Sequence, residues 1–246
     1  MSDNWDSYFC TVKNATASIF VNLGLEHDAP MASLSHLACI RVRMRNPRED
    51  GLSSADEAAD LWQLEDALDS EMKSTDPAGV FVGRSTSAGI RNFFFYVPSP
   101  DGCATRIHGV MMEFPHYKVE VDVRSERTWE TYSDFLLPNE EQRQTIGNRK
   151  VCEQLAHRGD SLGQPREIDH WIYFREPHQR EQFQARCTEM GFQTRGLTDS
   201  PEGGYGIQVY RVDLPSYGAI DSVTLPLFRL AHECGGEYDG WETVVV

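Results

Sequence analysis

Three arginines at alternate positions, Arg41, Arg43 and Arg45, with Arg48 close behind, form the one local basic stripe of the chain. On a strand, a period of two places the first three on one sheet face. Their guanidinium forks could there grip a phosphate or carboxylate in bidentate fashion. The ordinary reading, a solvated face paired with this chain's many acids, takes precedence. His170 beside Asp169 has the residue types of a general acid–base pair, although a lone strand histidine ordinarily packs. Six cysteines, at 10, 39, 103, 152, 187 and 234, are widely spaced and form no Cys-x-x-Cys. A nucleophilic thiolate would need positive charge nearby, so reduced, buried thiols are expected.

The motifs that usually announce catalysis are missing from the sequence. Gly203-Gly204-Tyr205-Gly206 lies in a hairpin turn, whereas a phosphate loop needs a strand before its glycines and a helix opening after them. There is no His-x-x-x-His, and nothing gathers three metal ligands. There is no Gly-x-Ser-x-Gly elbow. No catalytic residue, metal or cofactor is therefore expected. Asn92-Phe93-Phe94-Phe95-Tyr96 is aromatic but lacks the glycine-punctuated pattern of RNA-binding sheets, and reads as a buried sheet-centre strand. Glu237-Tyr238-Asp239-Gly240-Trp241 stands apart. Asp-Gly there implies a tight turn or bulge. Tyr238 and Trp241 could pack or present a partner surface, since both are residue types that commonly anchor protein interfaces, so the five residues are a candidate partner-binding segment.

The elements that must carry these residues follow from hydrophobic spacing. Residues 5–12 and 15–23 read as a β-hairpin across Lys13-Asn14. Residues 36–44 alternate as a half-buried strand, with Leu37, Cys39, Val42 and Met44 inward. A turn at 46–51 precedes an amphipathic helix over 54–73, capped at Ser53 or Ser54, with Ala58, Leu61, Trp62, Leu64, Leu68 and Met72 near helical spacing. Strands at 80–84 and 90–97, a helix at 104–114 and a strand at 116–123 complete β-α-β-β-α-β. Residues 129–137 form a short helix. After a charged helix over 140–157, the same order recurs: strand 168–174, helix 177–190, strands 192–197 and 206–214, helix 219–234 with Pro226 inside it, strand 238–245. The predicted fold class is α+β: two ferredoxin-like domains, 1–138 and 139–246, each an antiparallel sheet with helices on one face. The N-terminal one is extended by the hairpin.

At 246 residues, 40% of them hydrophobic, the chain can build real cores. Its 38 acids against 23 bases set a net charge of −15, which disfavours nucleic acid and anionic membranes as partners. Residues 1–138 hold 21 acids and 12 bases and residues 139–246 hold 17 and 11, so the acidity is spread over both halves. No run approaches a membrane span and the start is acidic rather than signal-like, so the cytoplasm is the expected compartment.

The second half resembles the bacterial family called regulator of ribonuclease E activity B. The residues that carry the likeness are a helix ending at Leu230–Cys234, then Glu237–Trp241, then Thr243–Val245. Upstream, the strand over 168–174, the helix over 179–190 and Gly191-Phe192 match the same pattern. The first half resembles an uncharacterised bacterial domain of unknown function often fused to it. Trp5, Asp50-Gly51-Leu52, Gly83-Arg84 and Phe95-Tyr96 carry that likeness. The resemblance implies a ferredoxin-like fold and a non-enzymatic regulator that inhibits ribonuclease E, or a related RNA-degrading enzyme, by binding it. Two departures are the extra N-terminal domain and an end at Val244-Val245-Val246 in place of an acidic tail. The expected partner is thus a protein, ribonuclease E or another basic protein. The competing expectation is a small-anion or enzymatic site, at the Arg41/Arg43/Arg45 face or in a cleft between the domains.

Overall fold

A two-residue turn opens the computed structural model, which describes residues 3–199 and 204–246. Lys13 and Asn14 both take positive φ, 49° and 67°. That geometry matches the twist of the strands it joins, β1 (Trp5–Val12) and β2 (Ala15–Asn22). The chain divides into the units Met1–Pro138 and Asn139–Val246.

In the first unit the hairpin leads to β3 (His36–Arg43), α1 (Ala55–Lys73), β4 (Val80–Ser87), β5 (Ile90–Val97), α2 (Cys103–Met111) and β6 (Lys118–Ser125). The six strands pair antiparallel in the order β1-β2-β4-β5-β3-β6. With β3 to β6 counted as one to four, the last four lie in the ferredoxin-like order four-one-three-two, and the hairpin extends the β4 edge. Leu61, Leu64, Leu68 and Met72 of α1 and Ile107 of α2 pack on Ala38, Ile40, Val42, Phe93 and Phe95. Trp62 sits one residue, about 100° of helix, past Leu61 and points outward, 54% exposed. Glu57 takes the inward place instead. Its carboxylate accepts the backbone N–H groups of Arg45 (2.7 Å) and Asn46 (2.8 Å). Ser54 holds the N-cap position of α1, but its hydroxyl makes no capping bond.

The opposite face is covered over part of its area by residues 126–137, which form a π-helical turn at Thr131–Leu136. Trp129 stacks on Tyr96 at 3.9 Å between ring centres and donates to Leu34 O at 2.9 Å. Tyr132 donates to Asn22 O at 2.7 Å. The aromatic run of β5 is therefore buried on both faces, Phe93 and Phe95 under helices, Phe94 and Tyr96 under this turn. Cys39 does not share the inward face of β3. Ala38, Ile40, Val42 and Met44 do, while Cys39 alternates with them, in phase with Arg41 and Arg43.

The second unit opens with α3 (Glu140–His157), capped by a reciprocal pair of bonds between Asn139 and Gln142. Then come β7 (Arg166–Phe174), α4 (Pro177–Glu189), β8 (Gln193–Asp199), β9 (Tyr205–Asp213), α5 (Asp221–Glu233) and β10 (Gly236–Glu242). The order β10-β7-β9-β8 is again four-one-three-two, all antiparallel. Ile220, Val223, Leu227, Leu230 and Ala231 are buried as their spacing predicts, against Ile168, Ile172, Phe174 and Val209. The last strand begins and ends earlier than the sequence suggests, so Val244, Val245 and Val246 lie outside it and exposed. Of the turn expected at residues 199–204 between β8 and β9, residues 200–203 lie outside the described residues. No described helix is long and apolar enough to cross a membrane.

Candidate functional site

Gly240 decides where the Glu237–Trp241 segment points. The register between β10 and β7 slips between Tyr238 and Gly240, a bulge at Asp239, and Gly240 has φ of 139°. The extra residue turns Tyr238 and Trp241, three apart, to the same side, where a plain strand would oppose them. That side is inward. Each residue is only 7% exposed, so of the two alternatives, packing or a partner surface, these two side chains take the packed one. The Tyr238 hydroxyl shares a 2.8 Å bond with His170 Nδ1. Trp241 Nε1 donates to Asn148 Oδ1 at 2.9 Å. Asn148, also buried, donates in turn to Asp221 Oδ1 and Thr224 Oγ1, both at 2.6 Å. The segment latches β10 to α3, α5 and β7, because a buried indole N–H and phenol each need a partner.

His170 belongs to that latch and not to a catalytic pair. It is fully buried, edge-on to Phe192 at 5.6 Å, and its Nε2 finds no partner among the described residues. Burial, and secondarily the Arg211 charge, depress its pKa to about 3, so it is neutral at physiological pH. Asp169 alternates to the other face.

On that face, opposite the buried Ile168, Ile172 and Phe174, β7 presents Glu167, Asp169, Trp171 and Tyr173, and β10 adds Glu237, Asp239 and Glu242. Arg195 of β8 lies over the Tyr210 ring at 4.0 Å. It pairs at 2.6 Å with both Glu167 Oε2 and Asp169 Oδ1. Arg195 thus pairs with two of the five carboxylates that β7 and β10 present. Tyr173 is 44% exposed. Beside the bulge, a groove of about 460 Å³ runs between α3 and β10, lined by Gly147, Val151, Trp171, Tyr173, Asp239 and Trp241. The arrangement suits a cationic, partly apolar peptide: carboxylates for charge, ring faces for guanidinium or ammonium groups. Trp171 and Tyr173 were not singled out from sequence. Their signal was present in the alternation of Glu167, Asp169, Trp171 and Tyr173 with Ile168, His170, Ile172 and Phe174.

The arginine stripe does not stay together. Arg41 and Arg43 remain exposed on β3, Arg41 with its Nε 3.8 Å from Glu120. Arg45 lies past the strand end and is bonded to Asp60, near Glu57, with its guanidinium 5.1 Å from the Tyr117 ring centre. The period of two fails there because β3 stops at Arg43. All six cysteines are free. Burial pushes the thiols of Cys39, Cys152 and Cys187 up to about 11, away from thiolate character. Among the described residues no cluster of three or more His, Cys, Asp or Glu side chains is placed to hold a metal.

No curated protein matches the chain. Two solved structures align along most of it. One is described as a candidate glycine cleavage system transcriptional repressor, 8% identical, covering 85% of this chain and 98% of its own, with a TM-score of 0.27. The other is an unknown protein from Galdieria sulphuraria, 12% identical, covering 86% and 99%, with a TM-score of 0.23. Superpositions this loose carry neither fold nor function. Two family models do match: Family of unknown function (DUF695) over residues 3–137, and Regulator of ribonuclease activity B over residues 145–243. Over more than half its length the chain belongs to the family of unknown function DUF695, and its second unit is similar to Regulator of ribonuclease activity B.

Proposed function

We propose that the chain is a non-enzymatic regulator that binds a basic segment of an RNA-degrading enzyme, ribonuclease E or a relative, through the open sheet face of its second unit. The observation that carries this is the face itself: five carboxylates, two of them paired with Arg195, and the half-open rings of Trp171 and Tyr173 beside a groove. The match of residues 145–243 to Regulator of ribonuclease activity B supports it. Charge of this density steers a basic partner to the face, and the rings supply the close contact that slows its departure. The reading takes the enzyme to be inhibited by occlusion and the compartment to be the cytoplasm.

The test is retention of purified ribonuclease E on the immobilised full chain at low salt. Binding is expected for the wild type. Trp171→Ala and the pair Asp239→Lys/Glu242→Lys should each weaken it about tenfold or more. No retention of the wild type, or equal retention of all three, sinks the reading.

A further inference from the structure

A cleft of about 800 Å³ opens in the first unit, between the β1–β2 hairpin with its following loop and the outer side of α1. Three aromatic rings meet at one wall. Trp5 stacks on Phe20 at 4.9 Å between centres with 13° between planes, and on Phe81 at 5.2 Å with 28°. The facing wall is carboxylate. Glu65, Asp66 and Asp69 follow one another on α1, and Asp3 stands at the end of the hairpin. Lys73, the one lining base among the described residues, is taken up by Asp69 Oδ2 at 2.7 Å. Asp69 Oδ1 is buried and has no hydrogen-bond partner among the described residues. Arg84 approaches from within the sheet. Its guanidinium lies 4.1 Å from the Phe20 ring centre and binds Glu65. The fold thus already sets one cation between these rings and these acids.

This lining selects one kind of ligand. An anion would meet three or four carboxylates at close range. A neutral polar molecule would leave Asp3 and Asp66, which stand outside the Lys73–Asp69 and Arg84–Glu65 pairs, partly desolvated without a counter-charge. A purely apolar one would waste them. A cation whose charge is spread over methyl groups loses little hydration on entry, gains from the ring faces, and needs no donor geometry. The volume falls in the range of small-molecule pockets.

We propose that this cleft binds a small organic cation, an alkylated ammonium with a short apolar body. The site is independent of the sheet face in the second unit, and neither reading depends on the other.

The test is calorimetric titration of the full chain at low ionic strength with choline, with benzyltrimethylammonium, and with 3,3-dimethylbutan-1-ol, the uncharged isostere of choline. At least one cation should bind saturably at one site per chain, with choline about tenfold or more tighter than the alcohol. Asp66→Asn removes an exposed carboxylate and should weaken the cation about two- to threefold. Trp5→Ala should weaken it about tenfold. Trp171→Ala, in the other unit, should leave it unchanged. The proposal is overturned if neither cation saturates, if the alcohol binds as tightly as choline, or if Asp66→Asn binds the cation as the wild type does. Should Trp5→Ala fail to fold, the isostere comparison and Asp66→Asn still decide.

Discussion

His170 is a buried imidazole with one hydrogen bond, to Tyr238, and such a group ties stability to pH. Its folded pKa, about 3, lies below its unfolded value. Neutral His170 therefore contributes stability that is fully present above about pH 6.5 and is lost as pH falls toward 3, by about 1.4 kcal/mol per pH unit in that window. Denaturant unfolding between pH 7 and about pH 4 should show this slope in the second unit. A His170→Gln variant should flatten it, whatever its own stability at pH 7. An unchanged slope would mean that the imidazole reaches water. Asn148 is the other residue on which the latch depends. Replacing it by Ala strands the Trp241 indole N–H inside the core and removes the donor to the Thr224 hydroxyl, which keeps only its own bond to Ile220 O. A cost of about 3 kcal/mol is expected in denaturant midpoint measurements, and Asn148→Asp, which keeps the acceptor for the indole but sets a carboxylate against Asp221 Oδ1, should cost no less.

At the scale of elements, close approaches explain which residues the family likeness singled out. In Asp50-Gly51-Leu52, Gly51 has φ of 79°, and a Cβ there would lie 2.7 Å from Ala88 N and 2.8 Å from its Cα. The approach is fixed by the Gly89 N–H bonding Gly51 O at 2.9 Å, which ties the loop before α1 to the β4–β5 turn. Gly51→Ala should therefore cost about 2–3 kcal/mol, since both backbone strain and a backbone clash act there. A shift in thermal midpoint of a degree or less would show that the turn yields freely. The order of elements, the hairpin, the long helices and the inward stripe of α5 were legible because each rests on local spacing. What was not legible is long-range or depends on a single extra residue. Asp239-Gly240 announces the bulge, but not its consequence, that Trp241 turns to the same side as Tyr238. Trp62 reads as core from composition yet sits about 100° off the leucine line. Trp5, Phe20 and Phe81 meet only through sheet pairing, so the aromatic wall of the cleft is invisible along the chain.

Over the whole molecule, the net charge of −15 and the acidic sheet face predict different things about partner binding, and they can be separated. If net charge alone drew a basic ribonuclease segment, any three charge reversals would weaken association equally, since each changes the total by the same amount. If the face draws it, position matters, because at physiological salt the screening length is about 8 Å. The pair of variants that decides is Glu237→Lys/Asp239→Lys/Glu242→Lys on the open face, and Glu49→Lys/Asp101→Lys/Glu113→Lys on exposed sites of the first unit. Both carry the same net charge. In stopped-flow association with ribonuclease E at low and physiological salt, the face variant should lose about tenfold or more in on-rate and lose most of its salt dependence. The control should differ from wild type at low salt and converge on it as screening sets in. Equal losses at every salt concentration would show that the partner responds to the molecule's total charge, and would remove the sheet face as its docking surface.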